Sequence, residues 1–324
     1  MPAGHGERGV AVRGALLVAL LLQPISAWPL DFSECITDLR HEAASLGVAP
    51  RTLDFALTGV LPDDRVIRLD RHQPERVLTL RAYQQRLLSD ARVQRGEEEL
   101  RRLDARGAHY PVQNALLVAL WGIETDYGRI TGEFDTVRSL TTLACDARRP
   151  VFFRRELLAL LQLIESGQFG DERPSGSWAG ALGYLQFLPS VLQRHGRDLD
   201  GDGRVSIFTG NDELFATAAR FLADSGWRQD QPWGAELALP VAGCAGPAEC
   251  RYTDMAQWRG LGWRDRQGQG LPTAAGPARV IHFDESPPRA FVVFSNFEAL
   301  LKWNRSTKYA IAVGRLHDAL TDQR

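Results

Sequence analysis

The sequence predicts a mainly α (α+β) protein, a helical body interrupted once, late in the chain, by a small strand-containing insertion. Three observations predict it. Before residue 231, long stretches place leucines at helical spacing among polar residues. From Pro232 to Pro288 glycine, proline and tryptophan accumulate, and the apolar runs shorten to strand length. From Asn296 to Leu320 the helical pattern returns.

Taken in order, the elements divide the chain into five segments. In residues 1–27, Arg8 and Arg13 precede the apolar run Ala15–Leu22, which is followed by Gln23, Pro24, Ser26 and Ala27. A basic end, a short apolar centre and small residues at a cleavage point are the order of a secretory signal peptide. The run falls short of the roughly 20 residues that span a bilayer. No cysteine follows it to carry a lipid, so the mature chain is expected to be soluble, without a transmembrane segment. Residues 28–110 read as a helical N-terminal region punctuated at Leu61-Pro62-Asp63 and Gln73-Pro74, with Tyr83–Leu103 as one surface helix. Residues 111–231 open with Pro111 before an apolar helix over Val112–Thr125. They continue with a leucine-rich helix over Phe152–Ser166, then one over Glu213–Ser225, capped by Asn211 or Asp212 and ended by Gly226. The insertion, 232–288, carries the strand candidates Glu236–Val241 and Val280–Phe283, with Ala290–Phe294 similar just beyond. Residues 289–324 supply a C-terminal helix.

The 324 residues are 44% hydrophobic and 24% charged, with a formal net charge of −2. Nucleic-acid binding rests on clustered Lys and Arg meeting phosphates, and no such cluster exists here. In an exported chain the four cysteines are disulfide candidates with three possible pairings. The short loop between Cys244 and Cys250 loses little entropy on closure, which leaves Cys35 with Cys145. Metal binding by these cysteines lacks the paired spacing it needs.

Three segments carry chemistry. In Ala119–Arg129, Glu124 ends an otherwise apolar helix; such surroundings strip water from a carboxyl and favour its neutral form, which suits a general acid. On a helix Asp126, two residues on, faces elsewhere, so it shares a cleft with Glu124 only if the helix has ended; Glu133, Asp135 and Asp171 are further candidates for a second carboxylate. In Gly176–Ser190, small residues permit close backbone approach, while Trp178, Tyr184 and Phe187 offer flat faces beside the amide of Gln186, a mixture that binds sugars. A tightly packed helix junction is the plainer account of that segment. In Asp198–Ser206, alternate aspartates followed by Gly203 open a calcium loop. Asp198, Asp200 and Asp202 give side-chain oxygens and Arg204 its carbonyl. The twelfth position is Thr209, so Asp212 must close the shell.

Together these segments resemble the lytic murein transglycosylase B family of bacterial peptidoglycan enzymes. The similarity runs through Val66-Ile-Arg-Leu-Asp-Arg-His-Gln-Pro-Glu75, Trp121-Gly-Ile-Glu-Thr125, Gly176–Ser190, the acidic loop and Trp303-Asn-Arg-Ser-Thr-Lys-Tyr309. It implies a lysozyme-like helical core, a periplasmic location and glycan strands of peptidoglycan as substrate, with other cell-wall enzymes as the class of protein partner. It places the acid/base on Glu124 and lines the cleft with Ser177, Tyr184, Gln186, Asn304 and Tyr309. Trp303 joins them where the family often has tyrosine, so a hydroxyl is replaced there. The family's calcium loop matches Asp198, Asp200, Asp202, Arg204 and Asp212, with no organic cofactor. The implied reaction cleaves between N-acetylmuramic acid and N-acetylglucosamine and leaves a 1,6-anhydromuramoyl end. A lysozyme-type hydrolase on the same cleft and a non-catalytic, calcium-dependent wall-binding protein are the alternatives.

Overall fold

The computed structural model describes residues 32–72, 77–239, 251–252, 258, 260–274 and 276–321. The signal segment 1–27, the turn at Gln73-Pro74 and both Cys244 and Cys250 lie outside the described residues. Helices α1 (Phe32–Ser45), α2 (Pro50–Leu57), α3 (Asp64–Arg71), α4 (Leu80–Leu87) and α5 (Asp90–Ala105) form the N-terminal region. The punctuation at Asp63 is a helix cap: its Oδ1 accepts from the N–H groups of Arg65 (2.9 Å) and Val66 (3.4 Å). Tyr83–Leu103 is two helices rather than one. Ser89 caps α5 by accepting the Arg92 N–H, and that local bond breaks the apolar periodicity after Leu88. Nor is it a surface element throughout, because Tyr83, Leu100 and Leu103 are buried.

Helix α6 (Asn114–Thr125) is apolar on every side and accordingly lies in the middle of the molecule, packed against α5 and the last helix. Ten of its twelve residues are buried. It is followed by α7 (Thr136–Ala144), α8 (Pro150–Glu165), α9 (Pro189–His195) and α10 (Asp212–Asp224). The polar look of α7 conceals a buried helix. Thr141 and Thr142 donate their hydroxyls to the carbonyls of Val137 and Arg138, both at 2.8 Å, which satisfies them inside the core. Asn211 caps α10 as expected, by accepting the Leu214 N–H at 2.9 Å.

Two strands, β1 (Phe134–Asp135) and β2 (Ser175–Gly176), pair antiparallel within the helical body. The insertion forms a four-stranded antiparallel sheet of β3 (Gly234–Leu237), β4 (Arg251–Tyr252), β5 (Ala278–Phe283) and β6 (Arg289–Val293), in the order β3-β6-β5-β4. β6, which falls on the strand candidate Ala290–Phe294, is central in that sheet, so the sheet reaches past residue 288. Beyond it, the single C-terminal helix is two helices, α11 (Ser295–Trp303) and α12 (Thr307–Thr321).

One continuous core runs from Cys35 to Leu320, and α1 and α2 pack on α8. Residue 110 therefore ends no packing unit. A smaller core, with Leu237, Trp258, Trp263 and Phe294, fills the insertion. Cys35 on α1 is bonded to Cys145 after α7, closing a separation of 110 residues with a Cα–Cα distance of 5.9 Å. Beside it the buried Asp70 of α3 receives Arg148 and Arg149, and Arg71 meets Asp146 at 3.1 Å. Closing so long a loop restricts the unfolded chain, so replacing both cysteines by serine lowers stability by about 3–4 kcal/mol. Urea unfolding of the double variant against the parent measures this, and an unchanged midpoint contradicts it.

Candidate active site

Helix α6 stops where chemistry begins. Asp126 and Tyr127 adopt left-handed backbone (φ 51° and 61°), followed by Gly128 at φ 82°. Thr125, buried at the helix end, donates its hydroxyl to the carbonyl of Tyr184 at 2.6 Å and accepts the Gly128 N–H at 3.0 Å. That hydroxyl stitches the end of α6 to the Gly176–Ser190 segment. Gly128 is compelled to be glycine, since a Cβ there would lie 2.5 Å from the Tyr184 ring.

Glu124 is half-buried, whereas Trp121–Ile123 and Thr125 around it are buried. Its Oε1 accepts two hydrogen bonds from the end of the chain, 2.8 Å from Trp303 Nε1 and 2.5 Å from the Tyr309 hydroxyl. The break between α11 and α12 makes this possible. Trp303 closes one helix, Tyr309 sits in the first turn of the next, and Asn304 Oδ1 accepts the Ser306 N–H to shape the junction. Tyr309 is 3% exposed. Burial, and then the charge and hydrogen bond of Glu124, push its phenol far above the usual value, so it stays a donor. Trp303 is held between Phe187 (5.6 Å) and Phe221 (5.3 Å). Trp303, expected to cost the cleft a hydroxyl, thus still brings a donor, an indole N–H, to the carboxyl.

The candidates for a second carboxylate are placed otherwise. Asp126 receives Arg92 Nε at 3.1 Å and Arg95 Nη2 at 2.6 Å. Asp135 caps α7 through the Arg138 N–H and faces Arg173, and Glu133 and Asp171 are exposed to solvent.

The Gly176–Ser190 segment is a tight hairpin rather than a helix junction. Leu182 and Phe187 exchange backbone bonds of 2.8 and 2.9 Å, and Gly176 leaves no room for a side chain beside the Ala181 carbonyl. Gln186 stands at φ 50°, and its Nε2 donates to the carbonyls of Thr131 (3.1 Å) and Gly183 (2.9 Å). It braces the loop with the amide expected to meet sugar. Ser177 Oγ likewise accepts the Ala181 N–H at 3.0 Å. Tyr184 is half-buried and stacks on Trp121 at 5.8 Å. Asn304 is exposed at the rim. The structure therefore joins Glu124 directly to Trp303 and Tyr309, and through Thr125 to Tyr184. Sequence reasoning missed Thr125; its only signal was position, one residue after the acid.

In the acidic loop the carboxylates of Asp198, Asp200 and Asp202 lie within 4.8 Å of one another and are exposed. Gly203 turns the chain at φ 86°. Three clustered carboxylates are hard oxygen donors of the kind calcium takes, and the Arg204 N–H is bonded to one of them, Asp202 Oδ1, at 2.7 Å. Asp212 departs from expectation: it is outside that cluster, and its Oδ1 accepts from Arg106 (3.1 Å) and Tyr110 (3.2 Å). Its place in the first turn of α10 turns it toward those donors. The neighbouring Glu213, buried, ties the loop down instead, accepting the N–H groups of Leu199 and Ser206 at 2.7 Å each.

With the geometry in place, likeness to known proteins becomes informative. Residues 31–318 match the transglycosylase SLT domain. The chain belongs to that family. It is 28% identical over 213 residues to the membrane-bound lytic murein transglycosylase B of Escherichia coli K12; the match covers 65% of this chain and 58% of that protein. SltB3 of Pseudomonas aeruginosa, solved with NAG-NAM-pentapeptide, superimposes with a TM-score of 0.78 at 36% identity, over 90% of this chain and 79% of that one. Slt35 of E. coli, solved in complex with calcium, gives 0.72 at 24% identity over 90% and 93% of the two chains, a likeness of fold. The helix-rich body with small sheets is thus the lysozyme-like architecture of these SLT transglycosylases.

Asp126 gives the SLT site a testable acid sensitivity. Burial raises its carboxyl, but Arg95 and Arg92 outweigh burial and hold it below the ordinary value of 3.8. Its contribution is complete above that ordinary value and disappears as pH falls through the lowered native one. Asp126→Asn destabilises by about 2 kcal/mol at pH 7, and the difference from wild type shrinks as pH drops below about 4. Denaturant midpoints at pH 7 and pH 3 test this; a gap as large at pH 3 as at pH 7 contradicts it.

Proposed function

We propose that this chain is a peptidoglycan lytic transglycosylase that cuts the β-1,4 bond between N-acetylmuramic acid and N-acetylglucosamine with Glu124 as its one acid/base. The observation that carries the reading is a carboxyl at the end of a buried helix, gripped by the Trp303 indole and the Tyr309 phenol. Asp126 and Asp135, which would supply a two-carboxylate glycosidase, are bound to arginines. A single carboxylate suits a route in which the substrate supplies the rest.

In that route Glu124, protonated, gives its proton to the glycosidic oxygen as the C1–O bond breaks. The 2-acetamido group of the muramic acid shelters the positive charge at C1. Glu124, now ionised, is stabilised by its two donors. It then takes the proton of the C6 hydroxyl, whose oxygen closes onto C1. The product is a 1,6-anhydromuramoyl end, the acid regains its proton and no water is consumed. Attack within one ring gains from proximity once the ring is held. Tyr184, braced on Trp121, and the hairpin of Ser177 and Gln186 form the wall that holds it, with Asn304 at the rim.

Calcium is part of the proposal, held by Asp198, Asp200, Asp202 and the Arg204 carbonyl, in a structural role distant from the proton transfers. Export to the periplasm follows from the leader pattern in residues 1–27 and from a disulfide that an oxidising compartment maintains. Among the described residues no helix is long and apolar enough to cross a membrane.

Digestion of purified sacculi followed by mass spectrometry tests the reaction. Anhydromuramoyl ends are expected; reducing muramic acid ends, heavier by one water, identify a hydrolase instead. Glu124→Gln removes nearly all turnover with the fold retained, and a fully active variant ends the assignment. Trp303→Phe keeps the ring contacts but loses the indole donor, and turnover falls by about 10- to 100-fold, the worth of one hydrogen bond to a charged group. Unchanged turnover means that Tyr309 alone holds the acid. Adding calcium to chelator-stripped protein raises the melting temperature; no change removes calcium from the account.

A further inference from the structure

Tyr184 is held by its backbone from two sides. Its carbonyl accepts the Thr125 hydroxyl at 2.6 Å, one residue from Glu124, and its N–H donates to the Ile207 carbonyl at 2.8 Å. Ile207 is buried just past the acidic loop, and Gly183 lies against it. A Cβ on that glycine would stand 2.5 Å from the Ile207 carbonyl oxygen. The cleft wall and the acidic loop therefore meet in a close-packed joint.

The loop behind that joint has little slack. Asp198 accepts the N–H groups of Gly201 (2.6 Å) and Gly203 (2.9 Å), Asp200 that of Asp202 (3.1 Å), and Asp202 that of Arg204 (2.7 Å). A cation that draws these carboxylates together draws the backbone with them. It also relieves the repulsion of three like charges within 4.8 Å of one another. Glu213 spans the loop, with Oε1 on the Leu199 N–H and Oε2 on the Ser206 N–H, both at 2.7 Å. Gln168, tied to the end of α8 by its N–H on the Leu163 carbonyl, holds both polar groups of Val205. Its Nε2 donates to the Val205 carbonyl at 2.8 Å, and its Oε1 accepts the Val205 N–H at 2.9 Å. Only residues 203–206 separate Asp202 from Ile207, and two of them are pinned in this way.

We propose that the acidic loop positions the cleft wall, so that calcium held by Asp198, Asp200 and Asp202 and a glycan laid on Tyr184 strengthen each other's binding. The proposal rests on the calcium and cleft readings above and joins them. Gln168 is the positioning residue. It belongs to neither site, yet its amide keeps Val205–Ile207 in register, so a change at the aspartates reaches Tyr184 instead of being lost in a slack strand. The grip on Glu124 comes from α11 and α12 rather than from the loop. The coupling therefore bears on substrate affinity and leaves the proton transfers alone. Linkage makes it reciprocal: the factor that calcium adds to glycan affinity is the factor that glycan adds to calcium affinity.

The test titrates the full chain, chelator-stripped and at fixed ionic strength, by calorimetry. The probes are calcium chloride and a β-1,4-linked tetramer of N-acetylglucosamine, which lacks the muramic acid that the proposed cut requires. Calcium is expected to bind at least about 5-fold tighter in saturating tetramer, and tetramer tighter by the same factor in saturating calcium. Gln168→Ala is expected to bring both factors close to one while each ligand alone still binds. In turnover on glycan strands, removing calcium raises KM by that factor and leaves kcat unchanged in wild type, and leaves both unchanged in Gln168→Ala. Equal calcium affinity with and without tetramer overturns the proposal, as does a factor that survives in the variant. Should the variant not fold, the two wild-type titrations decide alone. Calcium that fails to bind the free chain removes the metal reading, and a tetramer that fails to bind removes the cleft reading. Either result takes the proposal with it and is seen in its own titration, apart from the coupling.

Discussion

Almost everything in this molecule serves to hold one carboxyl at the end of a helix that has no solvent face. α6 is apolar all round, so it is stable only when other helices cover it, and that requirement dictates its place among α5, α10 and α12. Once it is covered, only its two ends leave a polar side chain room to reach outward, Asn114 at the start and Glu124 in the last turn. The two groups that grip Glu124 come from a part of the chain nearly two hundred residues later. The hydrogen bonds are short and fully directed, but they exist only because the core beneath them is packed.

The remaining elements are supports for that arrangement. Thr125 ties the helix end to the Tyr184 carbonyl, and Gln186 ties the hairpin to the Thr131 carbonyl, so Glu124 and the hairpin are fixed to one another. The acidic loop is anchored on α10 by Glu213, whose buried carboxylate accepts backbone N–H groups. The sheet of the insertion is fastened to α4 by Arg289, which bridges Glu236 and Gln84. In each case a polar side chain shielded from water meets its partners on a separate segment, as the low dielectric of a packed interior requires.

Much of this was legible in the residues, for identifiable reasons. The apolar run of α6, the leucines of α8 and the capping asparagine of α10 act locally, so pattern alone places them. Glu124 stood out because its neighbours exclude charge. Other features depend on partners that no local pattern names. α7 hides its burial because Thr141 and Thr142 return their hydroxyls to their own helix. The breaks at Ser89 and Asn304 come from single side chains that outbid apolar periodicity. Gln186 and Ser177 are polar residues in a segment rich in aromatic rings, yet their bonds are to backbone, a distinction visible only when the hairpin closes. Asp212 carries the right charge at the right spacing for a metal, but Arg106 and Tyr110, more than a hundred residues earlier, draw it away.

The gap between Glu124 and its two donors, 179 residues to Trp303 and 185 to Tyr309, has a consequence for biogenesis. While the polypeptide is still being made, the acid, its wall and the acidic loop all emerge before either donor does. An unfinished molecule therefore carries Glu124 without its grip. Competence arrives with the final helix, which makes the enzyme's own synthesis the latch on a tool that dismantles walls.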